Sequence, residues 1–293
     1  MLQFHPPGFG QQVIRTSLGV MVYYTQTGSP WLDGASQPAL PLVFLHSLGG
    51  GSSAYEWSKV YPAFATTYRI IAPDLIGWGQ STHPQRDYRV EDYLQIFTEL
   101  LEWIGEPVPV AASSLTAGLL IRLATQRPDL FSLLFLVAPA GYADFGADYG
   151  QNLAARIAGT PGVDRFIYGL GAANELAVQN FLAQFLFAEP SRVTPEMVAA
   201  YLTSAQQLNA EYAALASLRG DLCFDLARYV PQLQVPTVFV WGEQSRFSSP
   251  GTGQRLASLN SSIKQIQPIQ QAGVLAHLEC PSAVVSALRQ ALC

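Results

Sequence analysis

The sequence predicts an α/β protein with a mostly parallel sheet and one helical insertion. Short apolar runs bounded by turn residues alternate with segments of helical periodicity, as in parallel sheets joined by crossover helices. The chain has 293 residues, 49% of them apolar, which suits one large domain with a substantial core. The alternation stops between about residues 142 and 230, where only helices are predicted.

Seven apolar runs are predicted to be strands. They are Val20–Tyr24, Leu42–His46, Arg69–Ala72, Val108–Ala112, Leu133–Val137, Pro236–Trp241 and a short one near Lys264–Ile269. The helix predicted over Val90–Ile104 rests on apolar residues recurring at three-to-four spacing. Leu115–Thr125 and Ala283–Leu292 show the same pattern.

The helical insertion is expected to form a lid. Leu176–Phe187 places its apolar side chains on one helical face. Thr194-Pro195-Glu196 then supplies an N-cap, a proline in the first turn and an acid near the helix N-terminus. The predicted organisation is a core of residues 1–141 and 231–293 with a lid of residues 142–230.

Composition limits the classes of partner. Charged residues make up 13% of the chain, about half of the ~25% usual for soluble domains, and the mean hydropathy is +0.18. This predicts apolar surface for an apolar small molecule or a hydrophobic protein partner, with peripheral membrane contact left open. A net charge of −5 without basic runs argues against nucleic-acid binding.

Targeting and metal signals are weak. The first twenty residues lack the basic start and apolar core of a signal peptide, and the longest apolar stretch, Leu130–Ala143, is shorter than the ~20 residues of a membrane span. Three widely spaced cysteines predict reduced thiols and a cytoplasmic location. The four scattered histidines match no metal-ligand spacing, so neither a metal nor another cofactor is expected.

Four ordered motifs carry a resemblance to a known family. Val108–Ala117 is a strand, a small-x-Ser-x-small turn and the start of a helix, with Ala112 and Thr116 two residues either side of Ser114. It resembles the nucleophile elbow of the α/β-hydrolases. The segments 42–50, 72–81 and 235–243 resemble the family's oxyanion loop, its P-D-x-x-G-x-G-x-S loop and the strand leading to its catalytic acid.

The chain is therefore identified as similar to the lidded α/β-hydrolases, such as epoxide hydrolases, haloperoxidases and meta-cleavage hydrolases. The resemblance implies a mostly parallel eight-stranded sheet flanked by helices. It also implies that Ser114 stands at the nucleophile position, with the N–H groups of Leu48 and Leu115 as oxyanion donors.

Two positions depart from the family pattern. Where the family reads W-G-E-x-D, this chain has Ser245 at the acid position. Where the family reads G-H-x-x-H-x-E-x-P, it has Val274 at the base position, with His277 and Glu279 still in register. Valine takes no proton, and a serine hydroxyl without a base attacks carbonyls poorly. Efficient triad catalysis is therefore not expected.

Other residues could replace the missing groups. A relocated base at His277 requires a remodelled loop, and His46 is expected to brace the oxyanion loop instead. His83 is expected in an exposed loop. Among acids, Asp144 is expected at the solvated start of the lid rather than in catalysis. Glu243 stands where the family carries a non-catalytic Glu, and Glu279 is expected in the first turn of the last helix.

Two functions remain open at this point. The first is a non-hydrolytic binding or assembly protein that keeps the fold and its pocket. The alternative is a serine hydrolase of esterase or carbon–carbon bond hydrolase type that uses Ser114 with a relocated base, or a different chemistry in the same pocket.

Overall fold

The computed structural model describes residues 4–32, 40–147 and 174–293, and its central feature is an eight-stranded sheet. Its strands are β1 (Phe9–Thr16), β2 (Gly19–Gln26), β3 (Pro41–Leu45), β4 (Arg69–Pro73), β5 (Val108–Ser113), β6 (Phe131–Val137), β7 (Thr237–Gly242) and β8 (Ile263–Ile269). They lie in the order β1-β2-β4-β3-β5-β6-β7-β8. The β1–β2 and β2–β4 pairs are antiparallel and the others are parallel, which confirms the predicted fold class.

Helices cover the sheet and fill the insertion between β6 and β7. They are α1 (Val90–Ile104), α2 (Ser114–Gln126), α3 (Glu175–Phe181), α4 (Pro195–Ala205), α5 (Ala210–Arg219), α6 (Pro250–Ala257), α7 (Ala276–Glu279) and α8 (Pro281–Leu292). A π-helical turn, Leu182–Leu186, directly follows α3. Residues 148–173 of the predicted lid lie outside the described residues, so the division into core and lid stays a prediction.

The central strands are buried on both faces, which explains their continuous apolar sequence. Every residue of β3 and of β7 is buried. Along β3, Val43 and Leu45 join the apolar cluster that includes α1 and α2. Leu42 and Phe44 join a second cluster with α8. The two faces of the sheet thus support two core layers.

A third apolar cluster joins the insertion to the segment after β8. It contains Val178 of α3, Leu186 of the π-helical turn and Tyr201 of α4, packed with Val274 and Leu275. Val274, at the position predicted for the base, is therefore in direct contact with the insertion.

Helix ends agree with their sequence signals. Helix α1 has the predicted bounds. At its start the Asp92 carboxylate accepts the Arg89 N–H at 2.8 Å, and at its end Gly105 adopts a φ of 83°. The N-cap predicted at Thr194 is confirmed, since its hydroxyl accepts the N–H of Met197 at 3.3 Å.

Some expectations were wrong or incomplete. Strand β1 was missed because this edge strand exposes half of its residues and lacks apolar alternation. Glu279 does not begin the last helix: it ends the short helix α7, and α8 starts at Pro281. The helix α7 also contains His277.

A helix that crosses a bilayer must be about 20 residues long and mostly apolar. No helix in residues 4–32, 40–147 and 174–293 combines that length with that character.

Candidate functional site

The turn between β5 and α2 holds Ser114 in a backbone conformation that non-glycine residues rarely adopt. Its φ is 55°, in the left-handed region, as expected for a serine on a tight strand-to-helix turn. Ala112 and Thr116 flank the turn and are fully buried. The extra hydroxyl of Thr116 is accommodated because it donates to the His46 carbonyl at 2.7 Å. The small residues that the elbow requires are thus Ala and Thr here.

The loop after β3 leaves the Leu48 N–H group without an acceptor among the described residues. The Ser47 N–H donates to Glu56 Oε2 at 2.8 Å, and the Gly49 N–H donates to Ser52 Oγ at 3.1 Å. Between them, the Leu48 N–H has no acceptor among the described residues. The Leu115 N–H lies in the first turn of α2, where no helical carbonyl is available to accept it. Both predicted oxyanion donors are therefore free to bind a ligand oxygen.

These groups share one cavity of about 100 Å³. The described residues that line it all have uncharged side chains. They are Ser47, Leu48, Gly49, Gly50, Ser114, Leu115, Tyr142, Phe181, Leu186, Ala214, Ser217, Leu218, Phe247, Val274 and Leu275. The lining combines an apolar wall with a few convergent polar atoms, as small-molecule sites do.

A tyrosine that the sequence analysis did not single out faces the serine. The Ser114 Oγ lies 2.8 Å from the Tyr142 hydroxyl oxygen. Tyr142 follows β6 with a φ of 62°. Burial raises the pKa of Tyr142 to about 12. The phenol therefore stays protonated at neutral pH and cannot take the proton of Ser114.

Val274 and Ser245 occupy different surroundings. Val274 is 3% exposed and lines the cavity, and its N–H donates to the Leu186 carbonyl at 3.0 Å. Ser245 is also buried, and its hydroxyl has no hydrogen-bond partner in the part of the chain that is described. Glu243, two residues earlier, is exposed. Of the two positions predicted to lack their triad residues, Val274 lines the cavity and Ser245 does not.

None of the four histidines of the chain hydrogen-bonds to Ser114. The His277 ring is fully buried and stacks on Trp57 with ring centroids 4.1 Å apart. Its Nε2 lies 3.6 Å from Glu56 Oε2, and neither ring nitrogen makes a hydrogen bond within the described residues. The proposed relocated base therefore faces Glu56 rather than the serine.

The other histidines have structural contacts. Burial lowers the pKa of His46, and its neutral ring donates from Nδ1 to the Ser47 carbonyl while Nε2 accepts the Leu75 N–H at 2.9 Å. This agrees with the bracing role expected of it. The expectation of an exposed His83 was wrong: the ring is half-buried, with Nε2 3.0 Å from the Gly79 carbonyl oxygen.

Glu56 forms a buried polar network next to the site, and the sequence analysis missed it. Its carboxylate accepts the Ser47 hydroxyl at 2.8 Å and the Tyr201 hydroxyl of α4 at 2.9 Å, besides the Ser47 N–H. The Ser113 hydroxyl lies 3.5 Å away. The available signal was a single carboxylate within the apolar, aromatic segment Ala54–Trp57.

The two other acids singled out by the sequence analysis bind backbone groups. Asp144 accepts N–H groups of Gly141 and Leu226, at 3.0 and 2.9 Å, and burial raises its pKa. It is therefore half-buried and hydrogen-bonded rather than solvated. Glu279 accepts the Gly273 N–H at 2.7 Å and the Glu189 N–H at 2.8 Å. Neither carboxylate contacts a histidine.

The model of the alpha/beta hydrolase family matches residues 42–288. The chain therefore belongs to the α/β-hydrolase family.

Particular relatives match parts of the chain. An uncharacterized protein of Mycobacterium tuberculosis is 34% identical over 127 residues, which are 43% of this chain and 35% of that protein. A haloalkane dehalogenase of Mesorhizobium japonicum is 38% identical over 97 residues, which are 33% of this chain and 30% of that enzyme. The matches thus span about a third of the length of these curated relatives.

Solved structures resemble the whole chain. The meta-cleavage product hydrolase CumD of Pseudomonas fluorescens superposes with a TM-score of 0.76 at 19% identity, over 98% of both chains. At this identity the likeness shows the fold alone.

Proposed function

We propose that this protein binds an apolar small molecule that carries a carbonyl or carboxylate group, and does not hydrolyse it by a serine–histidine–acid triad. One observation carries the proposal. The Ser114 hydroxyl lies within hydrogen-bond distance of the protonated hydroxyl of Tyr142, and Val274 lines the cavity at the position predicted for the base.

The chemistry of the serine supports binding over turnover. A serine becomes a nucleophile when a base accepts its proton within hydrogen-bond reach. Among the described residues, the side chain within hydrogen-bond distance of the Ser114 hydroxyl is Tyr142, a phenol whose pKa is raised to about 12. The loss of triad members costs several orders of magnitude in rate, whereas oxyanion donors keep their affinity for an oxygen. The Leu48 and Leu115 N–H groups are such donors for a ligand oxygen.

The cavity wall supports an apolar occupant. Phe181 and Phe247 line it, and both lie 6.0 Å from Phe185, measured between ring centroids. Phe185 and Phe247 are 51% and 43% exposed, so this aromatic group continues from the cavity wall to the surface. Burying such rings against a ligand or an apolar partner surface is favourable.

The alternative is a serine hydrolase with a relocated base. It is favoured by the retained Ser114 on a strained turn and by the kinship with hydrolases. It requires His277 to leave its stacked position on Trp57 and its place 3.6 Å from Glu56.

A fluorophosphonate probe decides between the two. The intact protein is incubated with the probe, beside a Ser114→Ala variant and an active serine esterase, and labelling is followed by intact-protein mass spectrometry. We expect labelling of the wild type to be at least about 10³-fold slower than that of the esterase. Rapid, stoichiometric labelling that the Ser114→Ala variant abolishes would establish the hydrolase instead.

A further inference from the structure

We propose that Tyr142 is a positioning residue that turns Ser114 from a nucleophile into a hydrogen-bond donor toward the carbonyl oxygen of the bound ligand. This inference rests on the proposed function and names the ligand chemistry of the same cavity. It starts from the contact of 2.8 Å between the two hydroxyl oxygens.

The acidity of the two hydroxyls sets the direction of their hydrogen bond. A phenol, with a pKa near 10, is a far stronger acid than an aliphatic alcohol and the better donor, while the alcohol oxygen is the better acceptor. Tyr142 therefore donates and Ser114 Oγ accepts. No other hydrogen-bond partner reaches Ser114 Oγ from the described residues, so its own O–H can point into the cavity.

This arrangement has two consequences for the serine. One lone pair of Oγ is engaged by the phenol, which lowers the tendency of that oxygen to attack a carbonyl carbon. The same hydrogen bond polarises the serine O–H and strengthens it as a donor, because hydrogen bonds in a chain reinforce one another. Both effects favour holding a carbonyl compound over cleaving it.

The remaining polar groups of the cavity fix the kind of ligand. The Ser114 O–H and the N–H groups of Leu48 and Leu115 are three donors around one cavity, and the described lining side chains carry no charge. A ligand that matches these three donors has an acceptor oxygen, and one that matches the apolar wall has a hydrocarbon skeleton. A compound with a carbonyl oxygen on an apolar skeleton supplies both.

Infrared difference spectroscopy tests the serine–tyrosine pair. The probe is 2-butanone, with and without ¹³C at the carbonyl, bound to the wild type and to the Tyr142→Phe and Ser114→Ala variants. In the wild type the carbonyl band shifts to lower frequency than in hexane. We expect the Tyr142→Phe variant to lose part of this shift and the Ser114→Ala variant to lose more. Tyr229→Phe is the matched control, because Tyr229 does not line the cavity, and it keeps the wild-type band.

Affinity for a shape-matched probe tests the ligand class. Ethyl methyl sulfide has the same chain length as 2-butanone without a carbonyl, and binding of both is measured by protein NMR titration. We expect the sulfide to bind the wild type about tenfold more weakly, as for the loss of one or two good hydrogen bonds.

Each result has a definite meaning. A carbonyl band that is the same in the wild type and the Tyr142→Phe variant overturns the role of Tyr142. Equal affinity for the ketone and the sulfide, or no binding of the ketone, overturns the carbonyl ligand class. Failure of the proposed function is seen separately, as rapid labelling of Ser114 by the fluorophosphonate.

Discussion

A buried carboxylate is stable only where several donors surround it, because removal of a charge from water costs free energy that hydrogen bonds must offset. Glu56 is fully buried and has such donors from the loop after β3 and from α4. It therefore holds Ser47, the neighbour of the proposed oxyanion donor Leu48, and links that loop to the insertion.

Replacement of Glu56 should destabilise the fold. Glu56→Gln puts an amide NH₂ among groups that already donate, so at least one buried donor loses its acceptor. We expect a loss of about 3 kcal/mol in the free energy of unfolding, measured by urea denaturation at pH 7. Glu91→Gln is the control, because that side chain is 69% exposed and its ion pair contributes within about 0.5 kcal/mol. Equal stabilities of the two variants would contradict the network.

The contribution of Glu56 should depend on pH. Burial raises its pKa, but the adjacent His277 and His46 rings and the hydrogen bond from the Ser47 N–H outweigh burial and lower the pKa from 4.5 to about 2. The folded state thus binds fewer protons than the unfolded state between those values, so the stabilisation is complete above pH 4.5 and is lost toward pH 2. The stability difference between wild type and Glu56→Gln should shrink as the pH falls from 5 to 3. A constant difference would contradict the lowered pKa.

At the scale of residues, sequence motifs could predict only what family patterns encode. Ser114, Leu48 and Val274 were placed by ordered motifs, and the structure brings all three to one cavity. Tyr142 and Glu56 could not be found in this way. Their contacts with Ser114 and Ser47 span 28 and 9 residues, and such contacts depend on how the chain folds back rather than on local spacing.

At the scale of elements, Glu279 connects the insertion to the segment after β8 through hydrogen bonds. Its carboxylate accepts N–H groups of Ala188 and Glu189, at 3.0 and 2.8 Å, which follow the π-helical turn. It also accepts the Gly273 N–H at 2.7 Å, next to Val274. A single side chain therefore fixes two segments that border the cavity.

Loss of this carboxylate should loosen both segments together. In Glu279→Gln the amide NH₂ must face at least one of the three N–H groups. We expect a loss of about 2–3 kcal/mol in stability. We also expect faster hydrogen–deuterium exchange in residues 186–193 and 271–275, measured by mass spectrometry. Glu106→Gln changes an exposed carboxylate outside both segments and should change neither quantity. Unchanged exchange in Glu279→Gln would mean that the segments are held by other contacts.

The helices and strands that could not be predicted from the sequence have weak local sequence signals. Helix α6 contains Gly251 and Gly253, which disfavour helices, and it forms because Ser249 caps it and Leu256 is buried. By contrast, α1 has a wide apolar stripe and a clear glycine stop, so its bounds could be predicted. Propensity alone could not find an element that tertiary packing stabilises.

At the scale of the whole molecule, parallel strands bring distant residues to one edge of the sheet. Ser114 follows β5, Tyr142 follows β6 and Val274 follows β8, all beyond the carboxyl ends of their strands. Ligands of open α/β sheets bind at this edge. The order of the strands therefore explains why motifs separated by more than 150 residues predict a single site.

Introduction of triad residues at the two positions predicted to lack them tests whether this edge keeps the geometry of a hydrolase. The backbone of Val274 is fixed by its hydrogen bond to Leu186, so a histidine there would extend into the cavity beside Ser114. The combination Val274→His with Ser245→Asp should raise p-nitrophenyl acetate hydrolysis by on the order of 10²-fold, the lower range of general-base catalysis.

Two further variants of the restored protein link its activity to Ser114 and Tyr142. Addition of Ser114→Ala should abolish the gained activity. Addition of Tyr142→Phe should raise it several-fold further, because the serine oxygen then regains the lone pair that the phenol engages. A restored protein as inactive as the wild type would show that the cavity has diverged beyond its triad positions, and a loss of activity with Tyr142→Phe would make the phenol part of the catalytic machinery.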